Sequence, residues 1–574
     1  MTELGPPPST APTDTAPTAA GPAAAGPAGG EPHLAAPARG AFAAASGLAA
    51  AIVGAATAEV VSLVVGGAGE PFAAVGSLAI DLAPPWLKTA VIGAFGTGDK
   101  AFLAVVLVVL VVVLAAVAGV LQARRPPFGV AVVVALGALA EAAVLTRADA
   151  ALLSFLPVAA GALLAAALLR TLAARLTAWA APLSRSEGLS RSERLSRSEG
   201  LARSERLAPR PRSFERRRFL QLLVASAGVG AVVGVVGRAA ASVTQVARGA
   251  RAALTLPAPA TTAPPVPAGA DLATGDLAAE GLSPWVTPNA DFYRIDTALS
   301  VPQLAPEDWS LTITGLVDTE VTLGWQDLVA LPLVERYTTL ACVSNEVGGD
   351  LIGNALWLGY PIRELLARAA PHADADMVLS RSVDGFTAGT PLAVLQDEGT
   401  DALLAIGMNG EPLPIEHGFP ARLVVPGLYG YVSATKWVTE LRVTRFADDE
   451  GYWTPRGWSA RGPVKTGSRI DVPRAGRRVA AGTVAVAGVA WAQHTGIAKV
   501  EVQVDDGEWR EATLASVVTV DSWLQWSIAW RATPGAHTIR VRATDATGAT
   551  QPESPAPPAP DGATGWHGID VTVS

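Results

Sequence analysis

The sequence predicts three regions in one chain: a helical transmembrane region, a mixed α+β domain and a C-terminal β-sandwich. Three observations carry this. Apolar stretches of bilayer length crowd residues 41–180, short strands alternate with helical stretches over 305–447, and helix signals vanish after about 470. The chain has 574 residues, too many for one ordinary domain, and its 50% hydrophobic content is high for a wholly soluble protein. Mean hydropathy is +0.34.

Residues 1–40 are Pro, Ala, Gly and Thr without periodicity, and read as disordered. Candidate spans follow at about 41–67, 101–121, 128–147 and 151–170. The stretch 71–95 carries Asp81, Pro84, Pro85 and Lys88, which suits a re-entrant or interfacial segment. Arg124 and Arg125, then Arg170 and Arg175, mark cytoplasmic ends, and Asp99 and Asp149 fall outside. Glu59 and Glu141 lie within spans, where a carboxylate is either functional or set against a helix partner.

Residues 184–207 repeat a hexad four times, from SRSEGL to ARSERL. Six helical residues turn about 600°, so the leucines form no stripe, and 181–215 reads as a solvated cytoplasmic linker. Arg216, Arg217 and Arg218 then precede an apolar, glycine-rich run over 216–241. That is either a positive-inside flank to a fifth span or a twin-arginine export signal. Both place the rest of the chain outside the cytoplasm, as a multi-pass membrane protein with extracytoplasmic domains. Residues 242–275 are expected to form a Pro-rich tether holding those domains off the membrane.

The α+β domain is expected over 276–450 and the sandwich over 451–574. WSLTITGLV (309–317) alternates like a strand, GWQDLVALP and PIRELLARAA read as short helices, and ARLVVPG and VTELRVTRF are β-rich. Further on, AKVEVQVDDGEWREATL reads as a hairpin turning at Asp506-Gly507. Trp491, Trp509, Trp523, Trp526, Trp530 and Trp566 suit a sandwich core or an interface.

The net charge of −8 and the lack of a basic, aromatic-laced patch argue against nucleic acid as a partner. Cys342 is the single cysteine, so there is no intrachain disulfide, cysteine-ligated iron–sulfur cluster or CxxCH haem attachment. No histidine lies between 41 and 240, which excludes a bis-histidine haem in the spans. Electrons would then pass to a separate carrier, or to a quinone held without histidine.

Three stretches carry candidate chemistry. In TTLACVSNEVGGDLIGNALW (338–357), Cys342 ends a β-rich run and meets Ser344, Asn345 and two glycines. It reads as a small buried hydrophobe or as a soft metal ligand at a strand end. In PIEHGFPARLVVPGLYGYVSATKW (414–437), His417, Arg422 and Lys436 interleave with glycines, which suits an anion or an ordinary strand with scattered basic residues. SPWVTPNADFYRID (283–296) reads, on pattern alone, as a lead-in turn.

Together these stretches resemble the sulfite oxidase-type molybdenum-cofactor oxidoreductases, over about 280–574. TTLACVSNE matches the segment with the metal-binding cysteine, HGFPARLVVPGLYGYVSATKW the pterin-binding stretch, and PDGATGWHGIDVTV the C-terminal ending. The resemblance implies a sulfite-oxidase-type molybdopterin domain followed by an immunoglobulin-like dimerisation domain, hence a homodimer. It makes Cys342 the molybdenum ligand and the catalytic centre. It implies pterin or phosphate contacts from Asn289, Phe292, Tyr293, Ser382, His417 and Arg422, and from Ser433, Ala434, Thr435 and Lys436. The implied reaction is oxygen-atom transfer on a small molecule. One departure stands out. Asn345, Glu346 and Val347 follow the cysteine where sulfite oxidases proper have an arginine, and an acid there would repel a dianion. A neutral or cationic substrate, such as a sulfoxide, fits about as well as sulfite. The alternative from another class is a cell-surface scaffold with a degenerate cofactor domain.

Overall fold

The computed structural model describes residues 36–65, 71–84, 87, 91, 94–95, 99–146, 153–180, 212–272, 281–298 and 301–574. The N-terminal Pro/Ala-rich stretch before 36, the hexad repeats and Asp149 lie outside the described residues.

Among the described residues the N-terminal half forms α1 (Ala36–Val65), α2 (Pro71–Leu82), α3 (Asp99–Arg124), α4 (Phe128–Leu145), α5 (Leu156–Ala180) and α6 (Arg212–Ala253). Helices α1, α3, α4 and α5 are long and apolar enough to cross a membrane. Helix α2 has 12 residues, about 18 Å at about 1.5 Å per residue, too short to cross. Its Ala74 packs on Ala143, Val144 and Val158. The 216–241 run lies inside α6, whose 42 residues reach about 63 Å, well beyond a bilayer core.

Small residues let the helices touch. A Cβ on Gly47 of α1 would overlap the Ala115 carbonyl of α3, and one on Gly119 would overlap the Ala43 carbonyl. Near this end Phe42, Trp179 and Phe219 stack edgewise, Glu215 pairs with Arg175 at 3.0 Å, and Arg216 lies over Trp179.

Among the described residues, the next domain has ten strands: β1 (Ser310–Gly315), β2 (Val321–Gly324), β3 (Val334–Ala341), β4 (Ile352–Pro361), β5 (Met377–Ser382), β6 (Thr387–Pro391), β7 (Leu403–Met408), β8 (Glu411–Pro412), β9 (Arg422–Val424) and β10 (Val438–Thr444). They form two sheets, β2-β1-β10-β5-β6 and β3-β4-β7-β8, with β9 on β7. Three short helices join them: α7 (Trp325–Val329), α8 (Ile362–Ala369) and α9 (Leu392–Gln396). Leu365, Leu366, Leu404 and Leu441 fill the core between the sheets. Strands β1 and β10 pair in parallel, Thr312 opposite Glu440, across more than a hundred residues of intervening chain.

The C-terminal domain is a sandwich. Its strands are β11 (Gly467–Val472), β12 (Arg478–Val479), β13 (Gly482–Trp491), β14 (Ile497–Val504), β15 (Arg510–Glu511), β16 (Thr513–Leu514), β17 (Leu524–Ala532), β18 (Gly535–Asp545) and β19 (His567–Val573). Sheet β11-β13-β17-β16 faces sheet β12-β19-β18-β14-β15, and Trp526 and Trp530 pack against Ile539 and Val541. Trp285, Trp491 and Trp523 wedge between the two globular domains, while Trp509 and Trp566 meet outside the core beneath Arg542.

The Pro-rich stretch differs from the expected free tether. Thr261 bridges Val334 in parallel, Ala260 donates to the Leu333 carbonyl, and Ser516 donates through its backbone and hydroxyl to Gly269 and Ala268. Extended, proline-rich backbone suits a sheet edge where donors are not needed on both sides.

If α1 and α3 touch this closely, Gly47→Leu should cost about 3 kcal/mol. A lowered melting temperature of the detergent-solubilised chain is the expected result, and an unchanged one would mean the contact is looser.

Candidate functional site

Strands β3 and β4 pair from Val334 opposite Gly359 to Ala341 opposite Ile352, and a ten-residue loop joins them. Cys342 is its first residue, and its N–H donates to the Leu351 carbonyl at 2.9 Å, extending the ladder one step. Asn345 closes the loop by accepting from Leu351 N–H at 2.9 Å. Gly348 has φ +80, and a Cβ there would strike the His567 ring of the sandwich. From β11, Arg469 donates to the Gly349 carbonyl at 2.8 Å and to Ser283 Oγ at 2.9 Å while paired with Asp471. His567 Nδ1 accepts from Ile470 N–H. The second domain thus clamps the loop that begins with the thiol.

Cys342 lines a cleft with a cavity volume of about 140 Å3 that opens to solvent. Of the residues singled out in the sequence, Phe292, Tyr293, Ser382, His417, Arg422, Ala434 and Lys436 line it as well. Three others do not. Asn289 holds the β7–β8 turn through Met408 and Asn409, although its backbone bonds the His417 ring. Ser433 donates its hydroxyl to the Leu428 and Tyr429 carbonyls, and the Thr435 hydroxyl meets Ser380 at 2.7 Å. Short polar side chains next to free carbonyls satisfy themselves locally rather than turn to the cleft.

Burial sets the electrostatics. It pushes the Cys342 thiol up, against hydrogen bonds from the Ser344 backbone and hydroxyl. A thiolate here therefore gains from a cation such as a metal. Burial, with Arg422 and Lys436 nearby, pushes His417 down to about 3, so its ring is neutral at ordinary pH. Lys436 is pushed down to about 8 by burial, opposed by Asp296. Its ammonium donates to Asp296 at 2.8 Å and to the Glu416 carbonyl at 3.1 Å.

Arg422 is 5% exposed and lies over the Trp357 ring. It donates to the carbonyls of His417, Leu423 and Ala434, and no carboxylate pairs with it among the described residues. A buried guanidinium without a counter-ion is costly unless an anion joins it. Thiol and unpaired guanidinium on one cleft fit a group bearing both a metal and an anion. Among the described residues no cluster of three or more His, Cys, Asp or Glu could hold a metal unaided.

The outer wall is aromatic: Phe386, Tyr431, Trp453 and Trp458, with Asp384 among them. The run YWTPRGW (452–458) was the available signal for this wall, but it falls past the expected boundary at 450. Asp296 was also missed, being one acid in a lead-in segment. Glu346, expected beside the substrate, is exposed and lies outside the lining.

Residues 298–453 match the oxidoreductase molybdopterin binding domain, and 468–541 match a bacterial Ig domain. The chain is similar to mitochondrial sulfite oxidase of Mus musculus, 31% identical over 281 residues, covering 42% of this chain and 50% of that protein. It thus spans about half the length of the mitochondrial sulfite oxidases it matches. An uncharacterized oxidoreductase of Bacillus subtilis, YuiH, is 34% identical over 154 residues, 27% of this chain and 74% of that one. The catalytic subunit of protein-methionine-sulfoxide reductase, MsrP, from Ralstonia nicotianae is 31% identical over 206 residues, 33% and 59%.

Two tests follow from this geometry. Arg469→Ala leaves the buried Asp471 carboxylate unpaired and unties Gly349, which should cost about 3 kcal/mol and speed amide exchange across 343–351. Slow exchange in that variant would show that the loop holds itself. His417 has a lower pKa folded than unfolded, so its contribution is complete above about pH 6.5 and is lost as pH falls towards 3. Between pH 7 and 5 the cofactor-free wild type should lose about 2 kcal/mol that His417→Gln keeps, read as the difference in their melting shifts.

Proposed function

Because the chain belongs to the sulfite oxidase-type family of molybdenum-cofactor oxidoreductases, we propose that it is a membrane-anchored enzyme. It moves an oxygen atom to or from a small neutral substrate outside the cytoplasm. The observation that carries this reading is one cleft holding Cys342, the unpaired Arg422 guanidinium and an aromatic outer wall. Retention of both thiol and basic groups speaks against the scaffold alternative.

When bound, the molybdenum cofactor would supply a metal that cycles by two electrons. Cys342 would hold the metal as a thiolate, with the Ser344 N–H and hydroxyl directed at its sulfur. Arg422 and Lys436 would hold the anionic end of the cofactor, and neutral His417, Phe292 and Tyr293 its ring system. Ser382 and Ala434 line the same cleft. Asn289, Ser433 and Thr435 would shape the surrounding turns.

Substrate selection rests on the outer wall. Glu346 no longer supports discrimination against sulfite, since it lies off the cleft. Asp384 and the rings of Trp453 and Trp458 replace it. A dianion there would meet a carboxylate and apolar rings, whereas an organic sulfoxide would keep its substituents on the rings. Reduction of a sulfoxide takes two electrons and two protons and releases the sulfide and water. An external carrier or a membrane quinol would supply the electrons.

Orientation follows the positive charges. Arg124, Arg125, Arg175 and the Arg216–Arg218 run lie at one end of the bundle, and the globular domains lie at the other. This favours cytoplasmic arginines and an outer catalytic domain. The arginine run serves equally as a positive flank or a twin-arginine signal. The C-terminal domain would mediate a homodimer.

The purified full chain in detergent should hold about one molybdenum per chain. With a reduced dye it should reduce dimethyl sulfoxide or methionine sulfoxide faster than it oxidises sulfite. Cys342→Ser should lower turnover on the order of 100-fold or more. A chain without molybdenum would sink the enzyme reading, and dominant sulfite oxidation would sink the substrate assignment.

A further inference from the structure

Asp296 sits where the bundle meets the cleft. Its side chain is 3% exposed and shared by three cations. Lys436 and Arg294 take one carboxylate oxygen at 2.8 and 3.0 Å. The other oxygen takes Lys100, which also donates to the Ala298 carbonyl. Burial alone would push the Asp296 carboxyl up, but Lys436 and Lys100 hold it well below the usual carboxylate range.

Lys100 is the second residue of α3, a candidate span. Crossing a bilayer does not require that residue to reach the wall of a catalytic cleft. A second helix of the bundle arrives at the same place. Ala247, near the end of α6, is buried among Phe292, Trp357, Ile415 and Phe419, and Arg251 donates to the Leu413 and Pro412 carbonyls. Bundle helices thus touch both the segment before His417 and the carboxylate that holds Lys436.

Charge separates these two contacts. Without Lys100, the Asp296 carboxylate with Lys436 and Arg294 would carry one net positive charge. Lys100 raises it to two, beside Arg422, and so strengthens the pull on an anion. Arg251 brings no charge to Asp296. It acts only by docking the helix end.

We propose that Lys100, at the head of membrane helix α3, is a positioning residue for the cofactor: by sharing Asp296 it leaves the Lys436 ammonium available to an anionic group in the cleft. The membrane bundle is then part of the cofactor site and more than an anchor. This rests on the reading of the cleft as a molybdopterin site.

The test uses the full chain in detergent. Molybdenum is measured by metal analysis and pterin by fluorescence of its released, oxidised form, so neither readout depends on turnover. Lys100→Met should keep the wild-type circular dichroism and hold about tenfold less of both, while Lys100→Arg restores them. Arg251→Met, which loosens docking without touching Asp296, should load like wild type. Wild-type loading of Lys100→Met would overturn the proposal. So would equal losses in Lys100→Met and Arg251→Met, or a Lys100→Met chain that does not fold, since docking alone would then explain the contact. A wild-type chain without molybdenum or pterin would overturn the functional reading itself, and this inference with it.

Discussion

Among the described residues, the buried Arg422 guanidinium finds carbonyls but no carboxylate, and much of the site follows from that imbalance. A guanidinium cannot shed its proton to escape burial as a lysine or histidine can. Neighbouring groups adjust instead. His417 becomes neutral, Lys436 is eased by Asp296, and Tyr293 stays a phenol because burial outweighs the pull of the arginine. Such a site is costly when empty and gains from an anion that reaches in. The cleft thus stores an unmet charge that a phosphate-bearing cofactor can satisfy.

The thiol presents the opposite problem. Burial works against the charge of Cys342, and its loop is tied at both ends by its own backbone and Asn345. The sandwich presses on that loop through His567 and Arg469, and the tryptophan wedge lies beneath it. A thiol held this way keeps its direction without help from any bound group. The sandwich therefore has work to do within a single chain, whether or not it also pairs two chains.

Local pattern was enough to read part of this. The four long helices show as unbroken apolar runs, since each satisfies its own backbone within one segment. Cys342, His417, Arg422 and Lys436 stand out in the sequence because each sits close to glycines or strand ends, and the fold brings all four, buried, to one cleft. What failed was direction and distance. Glu346 is four residues from the cysteine, yet a ten-residue loop can turn a side chain away, and here it does. The β1–β10 pairing, the His567 contact and the Lys100–Asp296 pair join residues far apart along the chain, which no local period encodes. The Pro-rich stretch was misjudged because its composition fits both a free linker and an edge-lying strand.

The sulfur of Cys342 is the atom on which the cofactor site turns. X-ray absorption at the molybdenum edge, on full-length wild type and Cys342→Ser, would count sulfur neighbours of the metal. One fewer sulfur in the variant is the predicted result. Identical sulfur shells in two loaded proteins would contradict it, because the thiol would then lie beside the metal without binding it.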